Sequence, residues 1–230
     1  MPRRGLASER LAAAVAAVAI VHGRLPRRGD GLQWRMLRRI AVFCGSSAGV
    51  APAYQDAARE VGRLLGERAI HLVYGGGRVG LMGGVADACL RAGGRVTGVI
   101  PQALVDREVA HTGLTELRVV GSMHERKALM AELSDAFMAL PGGYGTWDEL
   151  FEALTWSQLG IQSKACGLLN VDGYYDAMIA MVDRAISQGF VHTAHRALLH
   201  ADTDVARLLE RLNHAFVSGN PDGGRTALRP

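Results

Sequence analysis

The sequence has 230 residues, 49% hydrophobic and 21% charged, which suits one ordinary globular domain with a substantial core and leaves too little chain for two. Its net charge of +4 invites a nucleic-acid reading, but nine arginines oppose only Glu9 and Asp30 in residues 1–39, and the rest of the chain has more acidic than basic side chains. That mildly acidic body lacks the basic, aromatic-interleaved stripe of a nucleic-acid binder, and its three distant cysteines, Cys44, Cys89 and Cys166, read as reduced thiols rather than a disulfide framework.

The chain opens with Arg3, Arg4 and Arg10 ahead of an apolar stretch over residues 11–21. That stretch is too short to span a bilayer and no small-residue cleavage site follows it cleanly, so no membrane association is expected. Residues 1–38 read instead as a basic, flexible or weakly helical extension, or as an over-long reading frame whose natural start is Met36. The expected location is the cytoplasm.

From Arg39 onward, short β-rich runs alternate with longer helical patterns. A strand is predicted over 40–44, a small-residue loop over 45–49, and a helix over about 52–68 with Pro52 in its first turn. A second strand covers 70–74. Gly75, Gly76 and Gly77 then lead into a helix containing Leu81, Met82 and Val85, which Gly93 and Gly94 break before a strand at 96–100. A short strand at 117–120 and a helix at 123–133 precede the continuous apolar run 136–140, which has the character of a buried central strand and stops at Pro141. The remaining elements are a helix at 146–159, a strand at 165–170, and helices at 174–187 and 205–216, with a disordered tail over 218–230. This alternation implies an α/β fold, a Rossmann-like open and mainly parallel sheet with helices on both faces, occupying residues 39–217.

In such sheets, ligands sit beyond the carboxyl ends of the strands, where loops meet helix N-termini with unpaired N–H groups. Three loops there are rich in small residues: Gly45-Ser46-Ser47, Gly75-Gly76-Gly77 with Gly80, and Pro141-Gly142-Gly143-Tyr144-Gly145-Thr146. One glycine turn is weak evidence, since glycine also serves tight turns that bind nothing, but three after three strands could together enclose an anion. Walker spacing and a strict GxGxxG are both missing, which weakens P-loop hydrolysis and ordinary NAD binding.

Glu149 lies three residues beyond Thr146, where its carboxylate faces the same crevice or, more blandly, caps the helix. Arg126 and Lys127 are adjacent on one helical turn and cannot point the same way. One can face a ligand and the other solvent, or both can belong to a polar face partnered by Glu125. His111, His124, His192 and His195 show no metal-ligand spacing, and no nucleophile elbow is present, so neither a metal nor serine-hydrolase chemistry is expected.

Five segments form a specific combination: FCGSS (43–47), VYGGG (73–77), GLMGG (80–84), MHERK (123–127) and PGGYGTWDE (141–149), with GLLNVDGYY (167–175) further on. Together they resemble the LONELY GUY family of cytokinin riboside 5′-monophosphate phosphoribohydrolases, many once labelled lysine decarboxylases. The likeness runs from about Arg39 to Phe216. It implies a catalytic pair, Arg126 and Glu149, and a nucleotide site lined by Ser46, Glu108, Lys127, Gly142, Gly143, Tyr144, Gly145, Thr146, Trp147, Asp148 and Thr155. It also implies a homodimer, to which the helix around Trp156 and Leu159 contributes. Trp147-Asp148 stands where many relatives have Leu-Glu, and His111-Thr112-Gly113 replaces a more usual threonine-glycine-glutamate run, which bears on base or side-chain preference.

The implied reaction hydrolyses the N-glycosidic bond of AMP or of its N6-prenylated relatives, giving a free base and ribose 5-phosphate without a cofactor. Glu149 would stabilise the cationic sugar or activate water, Glu108 would grip ribose hydroxyls, and Arg126 would assist the departing base or fix the phosphate. Pyridoxal phosphate chemistry needs a Schiff-base lysine with a placed pyridinium partner, a context that neither Lys127 nor Lys164 supplies. The alternative of another class is a non-catalytic, regulatory nucleotide-binding module.

Overall fold

The computed structural model describes residues 36–105 and 110–219. The expected extension up to residue 35 and the tail beyond 219 lie outside the described residues, as does Glu108.

Seven parallel strands form one sheet: β1 (Arg39–Phe43), β2 (His71–Tyr74), β3 (Val96–Pro101), β4 (Glu116–Val120), β5 (Ala136–Ala139), β6 (Cys166–Leu169) and β7 (Leu199–Asp202), in the order β4-β3-β2-β1-β5-β6-β7. Among the described residues seven α-helices accompany them, the last following β7: α1 (Pro52–Glu67), α2 (Gly80–Arg91), the single turn α3 (Gln102–Val105), α4 (Met123–Glu132), α5 (Tyr144–Gln158), α6 (Asp176–Ser187) and α7 (Val205–Ser218).

Side-chain alternation along the strands creates two cores. Ile40 and Val42 of β1, with Leu72, Tyr74, Ala136 and Met138, face α1, α2 and α7. Ala41 and Phe43, with Val73, Phe137, Ala139 and Leu168, face α4 and α5 on the other side. The fold is therefore a sheet with helices on both faces. Each fully buried Leu, Ile or Val contributes about 1.5–3 kcal/mol of transfer free energy, so central strands buried on both faces anchor the molecule. The packed body starts just ahead of β1: Leu37 is buried, and its N–H donates to Asn213 Oδ1 of α7 at 2.9 Å.

Four short elements were not legible in the sequence: the single turn α3, 3₁₀ segments at Val171–Gly173 and Thr193–Leu198, and β7. Strand β7 is a sheet edge with only Leu199 fully buried, so Leu-His-Ala-Asp carries no apolar run. The opposite edge, β4, is mostly exposed, and its Arg118 and Glu116 pair at 2.8 Å.

The chain winds outward from β1 through β2 and β3 to β4, then returns to the other side of β1 with β5. The loop after β1 leads to a helix on one face and the loop after β5 to a helix on the other. This divergence at the carboxyl ends of adjacent strands is a topological switch point, where open α/β sheets bind ligands.

Candidate active site

The three glycine loops meet at the switch point, where backbone hydrogen bonds tie them together. Gly45 N–H donates to the Pro141 carbonyl at 3.1 Å, joining the first loop to the third. The Gly45 carbonyl in turn accepts from Leu81 and Met82 N–H at 3.1 and 3.4 Å, so the first turn of α2 is capped by the protein's own backbone. Gly80 has φ +62°, and a Cβ there would stand 2.2 Å from the Ser46 carbonyl oxygen, so that position requires glycine for both reasons. The three loops are thus drawn together at one place, with the first fastened to both of the others.

The third loop behaves differently. Helix α5 begins at Tyr144 with Gly143 as its N-cap, two residues earlier than the sequence suggested, and no side chain caps it. Low helix propensity at Gly145 hid this start from sequence reasoning. A Cβ on Gly142 would collide with Thr146 Oγ1, whereas a Cβ on Gly143 or Gly145 would meet nothing within 4 Å. Space over the α5 amides is therefore open. Tyr144, 86% exposed, rises beside it and packs edge-on against Trp147.

Arg126 and Glu149 converge beneath this end of α5. Ser122 caps α4 by accepting from Glu125 N–H, and the Glu125 carboxylate accepts from Gly121 N–H, so Glu125 is occupied in the cap instead of partnering the cations. One residue on, Arg126 turns into the body with its side chain 8% exposed. Its Nη2 donates to the Gly75 carbonyl at 3.4 Å and lies 3.7 Å from Glu149 Oε1, whose side chain is 9% exposed. A Cβ on Gly75 would occupy the guanidinium's place, which explains that glycine. Arg126 Nε is buried without a hydrogen-bond partner among the described residues. Desolvating two opposite charges costs several kcal/mol per ion unless geometry is excellent, so this buried pair is a candidate for a functional role. Glu149 lies beyond the first turn of α5, so the capping reading does not apply.

Lys127 diverges toward α5 and bonds to Asp148 at 3.0 Å and to Glu152. Burial works to lower its pKa, yet hydrogen bonds to Glu152 and Asp148 overcome that and carry it above the ordinary lysine range. Of Lys127 and Lys164, then, the first sits in a carboxylate clamp, and the second donates to the Ala131 carbonyl at 2.5 Å. Burial, followed by the charge of Glu149, drives the Cys44 thiol far up against the opposing pull of Arg126, which leaves it protonated and unsuited to nucleophilic attack.

The structure thus gathers Arg126, Lys127, Gly142, Gly143, Tyr144, Gly145, Thr146, Trp147, Asp148 and Glu149 around one end of α5, with Ser46 exposed on the neighbouring loop. Thr155 stands apart, exposed on α5 with its hydroxyl donating to the Phe151 carbonyl. Sequence reasoning missed Glu152, Trp156 and Phe43, which join Glu149 and Lys127 in a narrow slot between α4 and α5. Helical spacing from Glu149 could have found Glu152.

A family model described as "Possible lysine decarboxylase" matches residues 82–212. A cytokinin riboside 5′-monophosphate phosphoribohydrolase of Arabidopsis thaliana is 48% identical over 185 residues, covering 80% of this chain and 86% of that protein. Another, from Oryza sativa subsp. japonica, is 54% identical over 167 residues, covering 72% and 69%. The chain belongs to the LONELY GUY family. The fold also resembles the molybdenum cofactor carrier protein of Chlamydomonas reinhardtii, with a TM-score of 0.60 at 22% identity, covering 77% of this chain and 97% of that one. At that identity the likeness concerns fold alone. The LONELY GUY assignment rests on the sequence relatives and on the family model, whose matched span includes both MHERK and PGGYGTWDE.

Proposed function

We propose that the chain hydrolyses the N-glycosidic bond of adenosine 5′-monophosphate-type nucleotides, AMP and cytokinin riboside 5′-monophosphates, releasing the base and ribose 5-phosphate. The names of its relatives support the reaction class. The observation that carries the reading within this chain is the buried Arg126–Glu149 pair beside the uncapped N-terminus of α5.

The amides from Gly143 to Thr146 and the positive end of the helix dipole receive the phosphate. Glu149 follows Gly145 by four residues, about 6 Å along the axis, which sets its carboxylate a sugar's breadth from the phosphate. As the bond from C1′ to the base breaks, the base departs with the electron pair and C1′ becomes cationic. The Glu149 carboxylate stabilises that charge or takes a proton from the attacking water, and the proton ends on the base. Arg126 assists the departing base or grips the phosphate, while Lys127 holds Asp148 and Glu152 in place. Glu108 binds ribose hydroxyls and Ser46 completes the lining, while Thr155, further along α5, lies outside this cluster. The protein works in the cytoplasm as a homodimer, an arrangement supported by the exposed apolar side chains of Leu159 and Ile161 at the end of α5. No described helix is long and apolar enough to cross a membrane.

The deciding assay follows ribose 5-phosphate release from AMP and from an N6-prenylated AMP. Turnover of either supports the hydrolase, and the ratio of rates gives its preference. Tight binding with no release from either would instead make this a non-catalytic nucleotide-binding module.

A further inference from the structure

Two adjacent tyrosines, outside every role assigned so far, grip the loop that leads into α5. The segment Asn170-Val171-Asp172-Gly173 follows β6 and turns sharply, with Asp172 and Gly173 both left-handed at φ 49° and 72°. Asn170 fixes the turn: its Oδ1 accepts from Tyr175 N–H and its Nδ2 donates to Asp176 Oδ1, both at 2.7 Å. The two side chains reach back under the Pro141-Gly142-Gly143 loop, where the Tyr175 hydroxyl donates to the Leu140 carbonyl at 2.5 Å and the Tyr174 hydroxyl donates to the Gly142 carbonyl. Tyr174 is half-buried, edge-on to Tyr54 of α1 and to Tyr175.

The two bonds differ in what they can transmit. In a planar trans peptide the C=O and the next N–H point in opposite directions, so a donor that holds the carbonyl also aims the amide. The Leu140 carbonyl belongs to the peptide with Pro141, which has no N–H to aim. The Gly142 carbonyl belongs to the peptide with Gly143, the N-cap of α5, on which a Cβ would meet nothing within 4 Å. Glycine on both sides of that peptide leaves its rotation otherwise unrestrained.

We infer that Tyr174 is a positioning residue for phosphate binding: by donating to the Gly142 carbonyl it turns the Gly143 N–H outward into the open space where a nucleotide 5′-phosphate sits. Tyr175 makes a hydrogen bond of the same type but serves packing only. The inference rests on the phosphate site proposed above, and the test separates the two.

The full chain and three single variants, Tyr174→Phe, Tyr175→Phe and Gly143→Val, are compared in AMP turnover, in calorimetric affinity for ribose 5-phosphate, and in thermal midpoint. Tyr174→Phe keeps the ring against Tyr54 and removes only the hydroxyl. Its KM for AMP and its Kd for ribose 5-phosphate rise together by about tenfold, the effect of one misdirected charge-assisted hydrogen bond. Its kcat stays within about twofold, because phosphate is held equally in ground and transition states. Tyr175→Phe lowers the thermal midpoint and leaves both constants alone. Gly143→Val raises both constants by blocking the site itself. Two outcomes overturn the positioning role while the phosphate site stands: Gly143→Val raises both constants but Tyr174→Phe raises neither, or Tyr175→Phe matches Tyr174→Phe. If Gly143→Val leaves both unchanged, the phosphate site is wrong and the role of Tyr174 falls with it.

Discussion

At the scale of the residue, adjacent side chains in the MHERK segment divide three tasks. Glu125 caps the helix, Arg126 is buried beside Glu149, and Lys127 clamps α5. Because the guanidinium is desolvated and faces Glu149, truncating it acts twice. Arg126→Ala is expected to lower AMP turnover by about 10²-fold or more, the scale of losing one charged transition-state contact, and to destabilise the fold through the void left at a buried side chain. Arg126→Lys, which keeps a charge, recovers stability more fully than activity; denaturation and turnover on the same samples check the split. The cysteines make an independent prediction. Burial holds the Cys89 thiol up at about 11 and Cys166 at about 12, and raises Cys44 further still, so thiolate is scarce at neutral pH. A colorimetric thiol reagent at pH 8 should label none of these three in the folded protein and all three after denaturation.

At the scale of the element, the loops explain why glycine was only partly readable. Composition marks Gly75, Gly80, Gly142, Gly143 and Gly145 alike, yet the first three are dictated by close approaches within the protein, whereas Gly143 and Gly145 open onto empty space. No spacing rule distinguishes a glycine that makes room for a neighbouring backbone from one that makes room for a ligand. Gly80→Ala tests the first kind. The left-handed φ and the approach to the Ser46 carbonyl should cost about 1–3 kcal/mol, measured by urea denaturation, while Gly143→Val should leave the thermal midpoint nearly unchanged. Strong periodicity made α1 and the buried strands legible within a residue or two. The start of α5 was not, because two glycines in its first residues look like a loop, and β7 was not, because an edge strand needs no apolar run.

At the scale of the whole molecule, the alternation of strand and helix predicted the parallel sheet, but strand order is a property of the folded chain. It is the return of β5 to the far side of β1 that brings residues from 75 to 149 into one cluster. The MHERK and PGGYGTWDE segments, together in the resemblance, are here together in space. A homodimer should appear as twice the chain mass of 24.5 kDa by light scattering at micromolar concentration, and exchanging Leu159 and Ile161 for serine should weaken it. The central claim is that Glu149 acts on charge that develops only toward the transition state. Its most direct test is Glu149→Gln, which preserves shape and removes the charge, followed by ribose 5-phosphate release from AMP alongside AMP affinity by calorimetry. The account predicts affinity within a fewfold of the unmodified protein and loss of most turnover; near-normal turnover in that variant would contradict it.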